Sequence, residues 1–253
     1  GVVATVLAFE VAGLFTLYFC AQSYHVARQS FGIARAYRRS GMHPFRQDRL
    51  AEALIYLIAA WGLLARCAQA PETFLGYPIQ LPAVPAQAAN AMGVAAIACS
   101  ACWLWRQARL ALTGNIDWRH DGFVASHAFT CFVAYIWITD ITLGWLLINL
   151  WHNLQYLLFV WVQNIRRERQ TQADKASETG LWKNAARYGG ACLALGSMLY
   201  LAIDWAGTQL LWLGLPTVLI AHFTLGFHHY LVDGVIWKRR RRPLDVPPHV
   251  ADP

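Results

Sequence analysis

The chain of 253 residues is 57% hydrophobic and only 14% charged, with 12 tryptophans and a positive mean hydropathy. Soluble domains usually carry about 25% charged residues, so this composition excludes an ordinary soluble fold and points to a lipid environment. The formal charge of +7 falls in short basic runs flanking apolar stretches, which fits membrane topology and anionic headgroups and argues against a nucleic-acid partner.

A transmembrane helix needs roughly 20 apolar residues, and seven stretches qualify: about 2–22, 50–69, 88–108, 122–140, 143–164, 187–207 and 211–237. Between the first two, Tyr24 to Arg39 carries Val26, Ile33 and Ala34 among basic residues and meets no breaker before Gly41. The first helix is therefore expected to continue along the inner interface, its arginines reaching toward headgroups. The 70–87 connection holds Pro71, Pro78, Pro82 and Pro85 and reads as an ordered or semi-rigid outer loop. The 166–183 connection, with Glu168, Gln170, Gln172, Asp174 and Glu178, reads as a solvated loop, and 243–253 as a disordered tail. The expected organisation is all-α: one polytopic bundle of about seven transmembrane helices over 1–242, followed by that tail. Gly1 rather than Met opens the sequence, as in a trimmed or processed chain.

Basic residues set the expected orientation. Arg28, Arg35, Arg38, Arg39, Arg46 and Arg49 follow the first stretch, and Arg106, Arg109 and Arg119 the third. Arg166, Arg167, Arg169, Lys175 and Lys183 follow the fifth, and Lys238 to Arg242 the seventh. The alternate connections, 70–87, 140–144 and 204–209, hold no Lys or Arg. All basic connections thus fall on one side, as an odd number of spans requires. The positive-inside rule makes that side cytoplasmic, with the N-terminus outside, and a bacterial inner membrane is the expected location. The six cysteines lie in or beside apolar segments and form no disulfide framework. The Cys99–Cys102 spacing lacks a second pair and reads as small residues at a helix contact.

Chemistry is expected where ionisable groups enter the apolar stretches, because they are costly in hydrocarbon. In the seventh, His222, Gly226, His229 and Asp233 recur at helical spacing on one face, with His228 turned about 100° away. Asp233 can serve as an oxygen ligand or accept the free N–H of a ligating His229. In the fifth, His152 shares its face with Gln155 and Tyr156; the amide and phenol would orient a bound water, oxygen or substrate. His127 lies in the fourth, Glu10 near the middle of the first, and His25 with Gln29 at its inner end. His25 and Gln29 are expected at the wet interface, and His43, His120 and His249 in solvated loops or the tail. The preferred metal ligands are His152, His222 and His229, with His127, His228, Asp233 and Glu10 as further candidates.

The segment His222-Phe-Thr-Leu-Gly-Phe-His228-His229 resembles the HxxHH box of the membrane di-iron fatty-acid hydroxylases and desaturases. The resemblance covers this box alone. It departs from the family in having five residues before the histidine pair, and no HxxxH box accompanies it. A multi-histidine membrane oxygenase is also similar in plan to the bacterial carotenoid-cleaving membrane enzymes, with no ligand matched residue by residue.

Imidazole with carboxylate suits non-haem iron. The expected function is a membrane metal-dependent oxidoreductase, an oxygenase, hydroxylase or desaturase using one or two iron ions on a lipophilic substrate. Its partners would be membrane lipids, that substrate, and a redox partner or other membrane subunits. The alternatives are a haem b or pigment-binding subunit of an electron-transfer complex, with His152 and His222 as axial ligands, and a proton-coupled transporter.

Overall fold

The structure is a computed structural model that describes residues 13–39, 48–171, 178–209 and 217–239. Among these residues it is all-α apart from one two-stranded hairpin. In chain order the helices are α1 (Gly13–Arg39), α2 (Arg49–Gln69), α3 (Ala86–Leu112), α4 (Trp118–Phe132), α5 (Ile141–Thr171), α6 (Glu178–Gln209) and α7 (Thr217–Arg239). They correspond one for one to the seven apolar stretches. Three of them are long and apolar enough to cross a membrane by length and composition: α2, α3 and the Asn184–Gln209 part of α6. Glu10, His43 and the segment 243–253 lie outside the described residues.

Helix α2 is central, packing against α1, α3 and α4. Its N-terminus is capped by Asp48, whose Oδ1 accepts the N–H of Ala51 at 3.0 Å. Gly93 of α3 lets the helices approach closely: a Cβ there would stand 2.7 Å from the Trp61 indole. Helix α6 packs mainly against α7 and α5. It leaves Leu193, Leu195, Met198, Leu201 and Trp205 exposed, as a helix bordering lipid would.

Two helices run beyond the apolar windows that announced them. Helix α5 continues through Arg166, Glu168 and Gln170 to Thr171, and α6 begins at Glu178. The expected loop at 166–183 is therefore helical at both ends. These residues are good helix formers, and the i to i−4 hydrogen bonds continue wherever nothing breaks them. Helix α1 likewise extends to Arg39 in one piece, as its lack of breakers implied.

The 70–87 connection is ordered. Thr73–Phe74 pairs antiparallel with Tyr77–Pro78, and Gly76 takes the positive φ that the turn requires. The hairpin folds inward. Phe74 is completely buried, with ring centroids 5.5 Å from both Phe19 and Trp145, and Tyr77 stacks on Phe15 at 5.2 Å. The Leu75 N–H donates to Thr142 Oγ1 at 3.0 Å. The hairpin closes this end of the bundle.

Helix α4 ends in a π-helical turn, Val133–Trp137, in which the Ile138 N–H reaches the Val133 carbonyl at 2.9 Å. Such a turn frees carbonyls, and the buried Arg66 of α2 collects them. Its guanidinium donates to Ala134 O at 2.9 Å, to Thr139 O at 2.6 Å and to Ile138 O. Gly144 sits against the same turn, where a Cβ would come within 2.0 Å of Ala134 O.

Candidate metal centre

Helices α1, α5 and α7 share one periodicity. Tyr18 and His25, Trp145 and His152, and His222 and His229 are each seven residues, two helical turns, apart. The structure turns this spacing into two layers about 10 Å apart. In the upper layer Tyr18 lies 6.3 Å from Trp145 and 5.6 Å from His222 between ring centroids. The Tyr18 hydroxyl is hydrogen-bonded to His222 Nε2 at 2.9 Å. Phe223, completely buried, stacks on Tyr18 at 4.3 Å. With Phe74 above, this aromatic layer separates the lower one from the hairpin end.

The lower layer holds three imidazoles. Ring centroids are 4.9 Å apart for His25 and His229, 5.1 Å for His25 and His152, and 6.2 Å for His152 and His229. One ligand nitrogen from each lies within 4.8 Å of the others. Asp233, one turn beyond His229, brings Oδ2 to 3.7 Å from His25 Nε2 and 3.8 Å from His229 Nε2. Both separations are too long for good hydrogen bonds. They suit groups converging on one ion, since metal–nitrogen bonds of about 2.0–2.1 Å place neighbouring ligand atoms roughly 3–4 Å apart.

Among the described residues these atoms are otherwise unused: His25 Nε2, His152 Nδ1 and Asp233 Oδ2 are buried with no hydrogen-bond partner. Unpaired buried polar groups are costly, so a donor set of this kind fits a divalent cation. Around it, Gln22 and Gln29 flank His25 on the same face of α1, and both amides are buried without partners, as is that of Gln155 one turn from His152. The Tyr156 and His229 rings are 6.2 Å apart, and Tyr230 lies over His25 at 4.5 Å.

The expected site residues divide. His152, His229 and Asp233 come together, with Gln155 and Tyr156 beside them. His222 stands one layer away on Tyr18, and Gly226 faces the Tyr18 ring, 3.1 Å from where a Cβ would be. His228 is exposed. His127 is completely buried, where its Nε2–H donates to Ile55 O at 3.2 Å and its ring lies 5.4 Å from Trp151.

His25 is the residue that sequence reasoning set aside as interfacial. It is buried because this part of α1 packs beside α5 and α7, where its ring meets those of His152, His229 and Tyr230. The signal was present in the polar stripe Gln22, His25 and Gln29, spaced three and four apart within a helix that is otherwise apolar on that side.

A second cluster is different in kind. Asp48, His120 and Asp121 lie within ligand distance of one another at the basic end of the bundle, all buried. Its charges are already matched. The Arg106 guanidinium takes both Asp48 carboxylate oxygens, one at 2.7 Å. His120 Nδ1–H donates to Asp121 Oδ1 at 2.7 Å, and the Asp117 N–H donates to Asp121 Oδ2 at 3.1 Å. Gln107, with its amide turned to suit its neighbours, also donates to Asp121 Oδ2 at 3.1 Å. Burial works against ionisation of Asp48, but its bonds to Arg106 and Ala51 prevail and hold its pKa below the usual carboxylate range. His120, expected to be solvated, is buried because α4 begins with an Asp117 cap that turns the imidazole inward. This is a clasp between the ends of α2, α3 and α4.

Comparison with protein-family models, with curated proteins and with solved structures finds no match to this chain.

Proposed function

We propose that this chain is an integral membrane metal-dependent oxidoreductase built on His25, His152, His229 and Asp233. The observation that carries the reading is the approach of three imidazoles from three helices remote in sequence, His25 and His152 buried and His229 half-exposed, with the buried Asp233 carboxylate 3.7 Å from His25 and 3.8 Å from His229. Three imidazoles with one carboxylate suit non-haem iron. The haem alternative pairs His152 with His222, and these two stand in different layers, with His222 hydrogen-bonded to Tyr18.

All seven helices cross the membrane in this reading, with the hairpin outside and the C-terminus in the cytoplasm. Side-chain contacts support the two ends. Arg106 meets Asp48 at the basic end, while Arg66 meets Thr139 and Thr16 meets Gln80 at the end without basic connections. Helices α1, α5 and α7 then run parallel from outside to inside, and the histidine layer falls in the inner half.

An iron ion held there with open positions would supply oxygen activation for a lipophilic substrate. The protein's own work is positional. His25, His152 and His229 are fixed by three separate helices. Asp233 balances charge, and it holds the orientation of His229 wherever it accepts that ring's N–H. The Tyr18–Trp145–Phe223 layer excludes water from outside, and the Gln155 amide and Tyr156 phenol present a donor and acceptor pair on the inner side.

Elemental analysis with an absorption spectrum on the detergent-purified protein tests the reading. About one iron or more per chain without an intense Soret band supports it. A Soret band replaces it with a haem protein, and absence of stoichiometric metal from gently purified protein replaces it with a proton relay or structural subunit.

A further inference from the structure

Helix α1 carries a second stripe, turned away from the histidines. Leu17, Tyr24, Arg28, Phe31 and Arg35 recur at helical spacing on one face, about 90° round the helix from His25. Two guanidiniums meet over the Phe31 ring: Arg28 Cζ is 5.1 Å and Arg35 Cζ 5.2 Å from its centroid. Helix α2 completes the group. The Tyr56 ring lies 5.5 Å from that of Phe31, the Arg28 guanidinium donates to the Tyr56 hydroxyl, and Arg35 Nε is 3.4 Å from Glu52 Oε1. Among the described residues Arg28 has no carboxylate within ion-pair distance.

Charge selects the ligand. The ring face holds each guanidinium in place but neutralises neither. Glu52 offsets one of the two, and the other is unmatched. Arg49, exposed three residues before Glu52 on the same helix, adds to the imbalance. A planar guanidinium binds a phosphodiester through two oxygens at once, and a zwitterionic headgroup would bring a further cation to a site that is already positive.

Depth selects the source of that phosphodiester. Glu52 is one turn from the Asp48 cap of α2 and Tyr56 two turns, about 6 Å and 12 Å along the helix. The headgroup zone is roughly 5–8 Å thick on each side. Arg35, beside Glu52, is therefore at headgroup depth. Arg28 starts beside Tyr56 at the top of the hydrocarbon and turns its guanidinium back over Phe31 toward the inner surface, as a snorkelling side chain does. Outward of the cations the face is apolar, with Leu17 and Tyr24 of α1 exposed and Ala60 and Leu64 of α2 half-buried. A free phosphate would use only the cations, whereas a phospholipid uses both parts.

We propose that the α1–α2 face binds one anionic phospholipid of the inner leaflet, a phosphatidylglycerol, with its phosphodiester on Arg28 and Arg35 and an acyl chain along Tyr24 and Leu17. The lipid is a bound structural partner, not a substrate. The inference rests on the membrane-spanning reading and is independent of the metal.

The test is native mass spectrometry of the full chain in detergent, titrated with equimolar phosphatidylglycerol and phosphatidylcholine, with and without inorganic phosphate. One phosphatidylglycerol per chain is expected, preferred about tenfold over phosphatidylcholine, the value of one charge-assisted contact. Arg28→Gln breaks no ion pair, so it is the clean variant and should erase the preference; Arg35→Gln should do the same if it remains folded without its Glu52 contact. Arg109→Gln removes the same charge from the exposed inner end of α3 and should leave the preference intact. Equal retention of the two lipids, a preference that survives Arg28→Gln, an equal loss in Arg109→Gln, or displacement of the lipid by inorganic phosphate would each overturn the proposal. A chain that stays soluble without detergent would remove the membrane-spanning reading itself, whereas a chain that needs detergent and retains both lipids alike sinks this inference alone.

Discussion

His25 Nε2 stands 3.7 Å from Asp233 Oδ2, joining the first described helix to the last. Neither atom has a hydrogen-bond partner among the described residues, and ligand nitrogens of His152 and His229 lie within 4.8 Å of one on His25. The proposed centre depends on this closure, so His25→Ala should lose metal as fully as His152→Ala or His229→Ala. Loss of a supporting partner costs about 10–100-fold in metal affinity, and loss of a ligand more. His222→Ala and His228→Ala should retain it. Inductively coupled plasma analysis of the five variants decides; metal loss confined to His222→Ala would move the centre one layer outward.

Removing the metal should also loosen the bundle. A ligand present at one hundred times its dissociation constant adds about 2.7 kcal/mol to the native state, and emptying the site leaves the buried carboxylate among unpaired imidazoles. A membrane-permeant chelator is expected to lower Tm in detergent, with recovery on adding ferrous ion. A Tm indifferent to both would show that no metal couples α1, α5 and α7.

Tyr18 and His222 test the layer above. Tyr18→Phe removes their 2.9 Å hydrogen bond while keeping the ring packed against Phe223. The expected cost is about 0.5–1.5 kcal/mol of stability with metal content unchanged. Loss of metal from this variant would mean that the two layers act as one site.

Gly144 probes the π-helical turn. A methyl group there would press 2.0 Å from Ala134 O and 2.9 Å from the Arg66 guanidinium. Gly144→Ala should therefore destabilise by about 1–3 kcal/mol or more, as overpacking does. Gly190→Ala, on α6 where a Cβ meets nothing, should be neutral or slightly stabilising. Thermal unfolding of the two side by side reads the difference; equal Tm values would count against the Arg66 cage.

The Asp48–Arg106 pair makes an acid-sensitive clasp. The Asp48 pKa is held below its ordinary value in the folded protein, so the folded state binds this proton less readily than the unfolded one. Its stabilising contribution is complete above the unfolded value of about 3.9 and disappears as pH falls from there through the lower folded value. Arg106 is partly exposed, which screens the pair and keeps the effect modest. Asp48→Asn should lower Tm at pH 7 and flatten the fall in Tm below pH ~4. An unchanged acid slope would assign that fall to other carboxylates.

The helical content and the approximate places of the seven described helices were legible in the chain, because apolar runs of about 20 residues read as helices. The order of the 70–87 connection followed from its prolines. His152, His229 and Asp233 could be singled out one by one, since an ionisable side chain in an apolar stretch has a cost that something must offset. The sequence also held the seven-residue spacing of Tyr18 and His25, Trp145 and His152, and His222 and His229.

Assembly was decided only by the tertiary structure. Periodicity gives the facing of a residue along its own helix, but not which helix it faces. That choice depends on side-chain packing between segments remote in sequence, here α1 against α7 and both beside α5. The same packing draws His25 inward, sets His222 against Tyr18 and ties His127 to the Ile55 carbonyl. Three histidines from different helices converge, and others equally prominent in the sequence do not, because convergence is a property of the interface between helices.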